Sequence, residues 1–393
     1  QPLSPAEYDL WLQEHFDDPV HLSGVNYSYI SRLTDSLSRE GMRIINCPQA
    51  HLVYSDGHKL KEPSNEELGL MANLTLTNNA KGLIWFVYVG DNKTFGTDDY
   101  NVGIMDILNG VISKRTSNVY GQNKYLKVCQ IDSMLEKRGP YIMSFKPELT
   151  KNCAYRNEAE RIPFLIYTYF SDIVTYKPGT GIPLCMSDNP GGSLPDGLTY
   201  ECNDERYLQA AVFKTNSNDV NKYFMIVNRR CSPFINETTE NLRGGKRYLR
   251  IKIDANSPEF SGYNNWKIIN LDSNTTTITF DKNAGALLDL GWYLPGEGKL
   301  YKIAPVMQEG GTLITDDTLK NSIDCKGMLY GEGKKLVILP GKTINFYENA
   351  GINLTGGSFI CGENSDNANP VQLKAKDINK GWNGIQLTGC DKA

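Results

Sequence analysis

The stretch "NNAKGLIWFVYVGDN", Asn78 to Asn92, contains an apolar run that follows Gly82 and ends at the polar loop Gly90-Asp91-Asn92. A strand with one face in water alternates apolar and polar residues, and this run does not. Continuous apolar strands are typical of parallel sheets that are covered on both faces, or of barrels that are filled with side chains. In such folds the residues just past the C-terminal end of a strand form the usual site of chemistry. The stretch therefore predicts a covered parallel strand with a ligand site near its end.

The composition narrows the class of protein. A chain of 393 residues predicts two or three domains, and a net charge of −4 argues against nucleic acid or an anionic membrane as the partner. No apolar run is long enough to span a bilayer. The nine cysteines include no C-x-x-C pair and the histidines number four, so we predict no metal site and no cofactor. Buried free thiols are favoured over a disulfide framework.

Residues 1–140 alternate helical and strand patterns. "NYSYISRLTDSLSREG" has apolar residues at helical spacing and ends at Gly41, and "MRIINCPQ" then predicts a short strand. Ser64 and Glu67 form an S-x-x-E capping box that predicts the start of a helix. The opening stretch supplies the next strand, and "VCQIDSMLEKRG" predicts a closing helix. This order of strands and helices predicts a parallel sheet or a barrel.

Residues 141–305 lose the helical period. Short apolar runs such as "YFMIVNRR", "YLRIKID", "WKIINLD" and "KLYKIAPV" are separated by turns rich in Gly, Pro, Asn and Asp. Several short strands with frequent turn signals predict a β-sandwich whose role is structural.

Residues 306–393 repeat a smaller unit, in which two apolar residues stand two positions apart. The pairs are Leu336/Ile338, Ile344/Phe346, Ile352/Leu354, Phe359/Cys361, Val371/Leu373 and Ile385/Leu387. Each unit has room for two inward side chains, which is too little for a hairpin core but enough for stacked coils. The repeat therefore predicts a parallel β-helix. No capping segment follows the last unit, "WNGIQL", so we expect the natural protein to continue past Ala393.

Two motifs in the first segment resemble a known family. Lys61-Glu62-Pro63-Ser64 and Asn79-Ala80-Lys81-Gly82-Leu83 look like the last two βα units of a (β/α)8 glycoside hydrolase of the β-galactosidase-like clan. "WYLPGEGKLYKIAPV" is similar to the closing strands of the β-sandwich that follows such barrels in secreted bacterial polysaccharide-degrading proteins, and "GGTLITDD" resembles the β-helix that some of them append.

The resemblance implies a multidomain α/β plus all-β fold. Residues 1–140 would be the C-terminal part of the (β/α)8 barrel, 141–305 the β-sandwich, and 306–393 the start of a right-handed parallel β-helix. The front half of the barrel would then precede Gln1. The resemblance further implies a secreted or cell-surface location and a polysaccharide or oligosaccharide ligand.

Activity is a separate question, because the clan places its nucleophilic glutamate at the end of the seventh strand. The matching stretch, "RIINCPQAH", offers Cys47, Gln49 and His51 but no carboxylate, and the general acid would lie in the missing half. A retaining glycosidase needs two carboxyl groups roughly 5 Å apart. The alternative is a non-catalytic carbohydrate-binding or adhesin-like surface protein. Lyase chemistry on the β-helix is not indicated, because its coils hold no cluster of Asp or Arg.

Four residues are the predicted ligand contacts. Gln49 and His51 follow the seventh strand as hydrogen-bonding groups for sugar hydroxyls, and Tyr88 and Asp91 follow the eighth strand, where the tyrosine ring could stack on a sugar face. For each of them an ordinary polar loop remains the alternative. Glu62 is better explained by the helix dipole beside it than by catalysis.

Overall fold

The structure is a computed structural model that describes part of the chain. The described residues are 43–48, 52–55, 58–60, 63–77, 79–85, 100–102, 104–108, 111–114, 121–145, 151–154, 164–169, 182–184, 208–213, 215, 220–228, 247–253, 255–256, 260–273, 277–362 and 369–391.

The first described region combines two helices with short strands. These are β1 (Ile45–Asn46), β2 (Leu52–Ser55), β3 (His58–Leu60), α1 (Asn65–Thr77), β4 (Gly82–Leu83), β5 (Tyr100–Val102), β6 (Met105–Leu108), β7 (Val111–Lys114) and α2 (Lys124–Ser144). The predicted capping box opens α1: the Glu67 amide donates to Ser64 Oγ at 3.2 Å, and the Ser64 amide donates to Glu67 Oε2 at 2.7 Å.

The predicted α/β barrel is wrong. In the part of this region that the structure describes, β1 and β4 pair in parallel over two residues each, whereas β2 pairs with β3 and β5, and β6 with β7, in antiparallel fashion. A (β/α)8 barrel requires eight parallel strands in one closed sheet. The described fold is strand-rich, in several small sheets, and belongs to an all-β-like class.

The middle region is a sandwich of two antiparallel sheets. Its strands are β8 (Lys151–Ala154), β9 (Phe164–Tyr169), β10 (Ile182–Leu184), β11 (Leu208–Phe213), β12 (Lys222–Asn228), β13 (Arg247–Ile253), β14 (Asn265–Asn270), β15 (Thr277–Asp281), β16 (Leu287–Tyr293) and β17 (Gly298–Pro305). One sheet has the order β10-β9-β13-β16, and the other has the order β15-β14-β17-β12-β11-β8.

The six-stranded sheet explains why the barrel prediction failed. Phe224 and Ile226 of β12 face the sandwich core, while Met225 and Val227 face helix α1, where they pack with Leu74. The helices α1 and α2 therefore cover an antiparallel sheet. A continuous apolar strand reports burial on both faces, but it does not report the direction of the neighbouring strands.

Buried polar contacts fix the two helices to this sheet. The Arg138 side chain on α2 is fully buried and donates to both carboxylate oxygens of Asp272, at 2.6 and 2.7 Å. It also donates to Asn73 Oδ1 on α1 at 2.9 Å and to the Gly298 carbonyl on β17 at 2.5 Å. One side chain thus joins both helices to the sandwich. We call this network the Arg138 clamp.

The last region is a stack of coils that begins after a short helix. Its elements are α3 (Val306–Glu309), β18 (Gly311–Thr312), β19 (Asp317–Leu319), β20 (Ile323–Cys325), β21 (Met328–Glu332), β22 (Lys335–Ile338), β23 (Thr343–Phe346), β24 (Gly351–Thr355), β25 (Ser358–Cys361), β26 (Gln372–Ala375) and β27 (Ile385–Thr388). They form three parallel sheets, β18-β21-β24-β27, β19-β22-β25 and β20-β23-β26. Each strand therefore pairs with the strand one coil later.

The coil stack and the sandwich share one hydrophobic core. Met307 of α3 belongs to the same cluster as Tyr301 of β17 and Ile344 of β23. Asp317, on the first coil, points inward and accepts hydrogen bonds from the Asn265 amide and side chain at 3.1 and 3.0 Å. Burial raises the pKa of Asp317, although these hydrogen bonds oppose the rise.

Candidate functional site

All four predicted ligand contacts, Gln49, His51, Tyr88 and Asp91, lie outside the described residues. The strands that lead to them are paired in parallel through Ile45 with Gly82, so the predicted parallel relation of these two segments is confirmed over this short stretch. The prediction that the four side chains share one concavity stays a prediction.

The described side chains near the C-terminal ends of β1 and β4 make structural contacts. Asn46 Nδ2 donates to Thr75 Oγ1 on α1 at 2.6 Å, and Trp85 Nε1 donates to Asp132 Oδ1 on α2 at 3.3 Å. Trp85 also packs against the core between the two helices. These groups hold the parallel pair against the helices.

The described interior of the coils is filled with apolar side chains. Within the described coils, a void of about 10 Å³ lies among apolar side chains that include Met307, Cys325 and Phe346. A space of that size holds at most about one water molecule, and an apolar lining leaves it dry. The described residues also contain no group of three or more His, Cys, Asp or Glu placed to hold a metal ion.

The outer surface of sheet β18-β21-β24-β27 is built differently from the other faces. Because side chains alternate along a strand, Leu329, Ile352, Leu354 and Leu387 point into the coils and their neighbours point out. Seven of the outward residues form two columns, and together we call them the tyrosine face: Thr312, Tyr330, Asn353 and Gln386 in one column and Glu332, Thr355 and Thr388 in the other.

The tyrosine face presents one aromatic ring among polar groups. Tyr330 is 45 % exposed, so its ring is accessible to a ligand from solvent. On the next two rungs Asn353 Nδ2 donates to Gln386 Oε1 at 3.3 Å, which aligns the two amides along the column. Rungs of a parallel sheet stand about 4.8 Å apart, so the column is a regular line of hydrogen-bonding groups beside a ring.

The charges on the tyrosine face are few. Among its seven outward residues, Glu332 is the one ionisable carboxylate and no residue is basic. Cleavage of a glycosidic bond by paired carboxyl groups needs two of them flanking the bond. The geometry of this face is therefore suited to binding a hydroxyl-rich ligand and lacks the paired carboxylates for hydrolysing one.

The face formed by sheet β20-β23-β26 is more highly charged, but its acid is already paired. Asp324 accepts from Lys376 Nζ at 2.7 Å and from Asn345 Nδ2 at 2.9 Å. Burial would raise the pKa of Asp324, but the hydrogen bonds from Lys376 and Asn345 outweigh it and lower that pKa overall. Since these groups satisfy one another, this face is a weaker candidate than the tyrosine face.

The tyrosine face was missed in the sequence analysis, although a signal for it was present. Asn353 and Gln386 are each the middle residue of a predicted apolar pair, in "INL" and "IQL", whereas Tyr330 lies between Leu329 and Gly331, which are not such a pair. The sequence analysis considered only the two residues of each pair that point into the coils. The residue between the two members of a pair is the one that points outward, so the pairs indicate two members of the column, Asn353 and Gln386.

Comparisons with known proteins leave the assignment to geometry. No protein-family model, no curated protein and no solved structure matches this chain. Among the described helices, none combines the length and apolar character that crossing a membrane requires.

Proposed function

We propose that the chain is a non-catalytic carbohydrate-binding protein that holds a polysaccharide or oligosaccharide against the tyrosine face. The observation that carries the proposal is the exposed ring of Tyr330, in register with the aligned amides of Asn353 and Gln386. An aromatic ring offers a flat apolar surface to the C–H side of a sugar, and amides donate to and accept from its hydroxyls.

The electrostatics favour an uncharged glycan. Glu332 would repel a uronate or a sulfated sugar, and the tyrosine face has no arginine or lysine to attract one. The net charge of −4 on the whole chain also disfavours an anionic glycan. We therefore place the ligand among neutral polysaccharides, in the secreted or cell-surface setting of an adhesin-like protein.

Hydrolysis is not part of the proposal. The barrel that would have carried it is wrong for the described residues, and the tyrosine face contains one carboxylate where paired acid and base catalysis needs two. The chain is expected to retain a neutral glycan without shortening it. Chromatography of the glycan after prolonged incubation checks this directly, and shortened products would contradict a purely binding role.

The proposal is tested by titration calorimetry of the purified chain against neutral glucan, mannan and galactan oligosaccharides, with a polyuronate as the charged counterpart. Tyr330→Ala should weaken binding of the preferred neutral ligand by about 0.5–1.5 kcal/mol, which is roughly 2- to 12-fold in Kd. Tyr347→Ala is the matched control, because Tyr347 is also exposed, at 40 %, but follows β23 and lies off the tyrosine face. Equal losses in both variants, or no binding of any neutral glycan, would contradict the proposal.

A further inference from the structure

The tyrosine face repeats one short sequence on neighbouring coils. "GINLTG", Gly351–Gly356, and "GIQLTG", Gly384–Gly389, pair in register, with Ile352 opposite Ile385. Each of them places an amide side chain in the column that contains Tyr330 and a threonine in the other column. Similar hydrogen-bonding groups therefore recur from one rung to the next, at a spacing of about 4.8 Å.

The tyrosine face is narrow along the strands and long across them. Its two columns stand two residues apart on each strand, which is about 7 Å. Beyond the column of Glu332, three successive coils turn at a glycine, and these glycines, Gly333, Gly356 and Gly389, have φ values of 61, 63 and 62°. The turns end the face on that side, because they carry no side chain. Across the strands, the column from Thr312 to Gln386 covers four rungs, or about 14 Å.

The groups of this column suit successive units of one ligand. Thr312, Tyr330 and Gln386 are exposed, and Asn353 is half-buried. The hydrogen bond between the two amides uses Nδ2 of Asn353 and Oε1 of Gln386. Among the contacts of the described residues, Asn353 Oδ1 and Gln386 Nε2 have no other partner. An acceptor and a donor on neighbouring rungs are therefore available to the hydroxyls of a ligand.

We infer that the ligand is a linear glycan in an extended conformation, which lies along the coil axis with successive sugar units on successive rungs. This inference rests on the proposed function and adds to it the shape of the ligand and its direction on the face. A rung spacing of about 4.8 Å is close to the length that one pyranose unit adds to an extended chain. One unit stacks on Tyr330, and the next two meet Asn353 and Gln386. A glycan that coils leaves this straight column after a short contact, and a glycan that lies along a strand makes no contact with Gln386.

Titration calorimetry with short, pure oligosaccharides of two to five units tests the shape of the ligand. Cello-oligosaccharides and manno-oligosaccharides are extended and neutral, whereas malto-oligosaccharides contain the same glucose units as the cello series in a coiled chain. The affinity for at least one extended series should rise with each unit from two to four, because each added unit meets a further rung. The malto series should bind more weakly at equal length.

The direction on the face is tested with Gln386→Ala. This variant should weaken binding of the four-unit extended ligand by roughly 2- to 12-fold, the range for one hydrogen bond. It should leave binding of the two-unit ligand unchanged, because that ligand is anchored on Tyr330, two rungs away. Gln372→Ala is the matched control: Gln372 is also an exposed glutamine, but it lies on β26, off the tyrosine face, so binding should be unchanged at every length.

The outcomes separate this inference from the proposed function. If Tyr330→Ala weakens binding but Gln386→Ala behaves like Gln372→Ala at every length, the direction is wrong and the proposed function stands. An affinity that stops rising at two units, or tighter binding of the malto series, likewise overturns the extended ligand alone. If no neutral glycan binds, or if Tyr330→Ala has no effect, the proposed function fails and this inference fails with it.

Discussion

The coil stack and the helix-covered side of the sandwich are stabilised in different ways. In the coils, each inward apolar side chain is paired with one on the next coil, as Leu329 is with Ile352. The stabilising free energy is therefore divided among many similar contacts. On the helix side, a few buried polar groups make several contacts each, and the Arg138 clamp alone joins α1, α2, β17 and Asp272. A substitution in the clamp should therefore cost more than one at a partly covered position of the coils, because several buried contacts are lost at once.

The largest predicted effect concerns the Arg138 clamp. Arg138→Ala should lower the free energy of unfolding by about 3–5 kcal/mol, because it removes the buried cation that pairs with the Asp272 carboxylate and the donor to Asn73 Oδ1. Chemical denaturation followed by circular dichroism measures the change.

Lys380→Ala is the control for this first prediction. Lys380 pairs with Glu348 at 3.7 Å on the surface, where the two side chains are 60 % and 57 % exposed, so its loss should cost less than about 1 kcal/mol. Similar costs in the two variants would show that the clamp is no more important than a surface ion pair.

In the coils, the expected cost of a substitution depends on how completely the side chain is buried. Leu354→Ala should cost about 2–5 kcal/mol, because Leu354 is fully buried between coils and its removal leaves a cavity. Leu387→Ala deletes the same atoms one rung later in the same column, where the side chain is half-buried, and should cost clearly less. Thermal unfolding of both variants in dilute solution measures the difference. Equal costs would mean that the last coil is as well covered as the one before it.

The same contrast explains how much of the fold could be predicted from the sequence. The coils could be predicted because their signal is local: an apolar pair such as Ile352 and Leu354 recurs within one short unit, and stacking follows from the repeat. The Ser64–Glu67 capping box could be predicted for the same reason, since its partners are three residues apart.

The helix side could not be predicted in this way. The apolar face of α1 shows that the helix is covered, but its partner, β12, lies about 150 residues later in the chain. The Arg138 contacts to Asp272 and Gly298 span 134 and 160 residues and leave no trace in any local pattern. A barrel and a helix-covered antiparallel sheet require the same burial from these segments, so the resemblance to a barrel favoured the wrong one.

The residues of the candidate site could not be predicted from local sequence patterns either. Gln49, His51, Tyr88 and Asp91 were chosen because they follow predicted parallel strands, and that argument depended on the barrel. Tyr330 carries no motif, and its exposure depends on which face of a coil it occupies. The residue pattern contained that information only after the coil register was known.

The smallest predicted effect belongs to Lys81, on the helix side. Its Nζ donates to the carbonyls of Ile142 and Phe145 at the C-terminal end of α2, at 2.7 and 3.1 Å, and to Asn79 Oδ1 at 2.8 Å. Burial, with a smaller effect from the charge of Arg43, lowers the pKa of Lys81 to about 8. In the unfolded chain the pKa returns to its ordinary value near 10.5.

Between these two values the unfolded state binds more protons than the folded state, so stability rises with pH across this window. The rise should be under about 1 kcal/mol, because solvent screens a half-buried charge. Cys325, whose pKa burial raises to about 11, acts in the opposite direction over part of the same window. The quantity to measure is therefore the free energy of unfolding of the wild type minus that of Lys81→Gln. That difference should be flat between pH 6 and 7.5 and should increase from about pH 8 to 10, and a flat or falling difference there would mean that Lys81 is not desolvated in the folded chain.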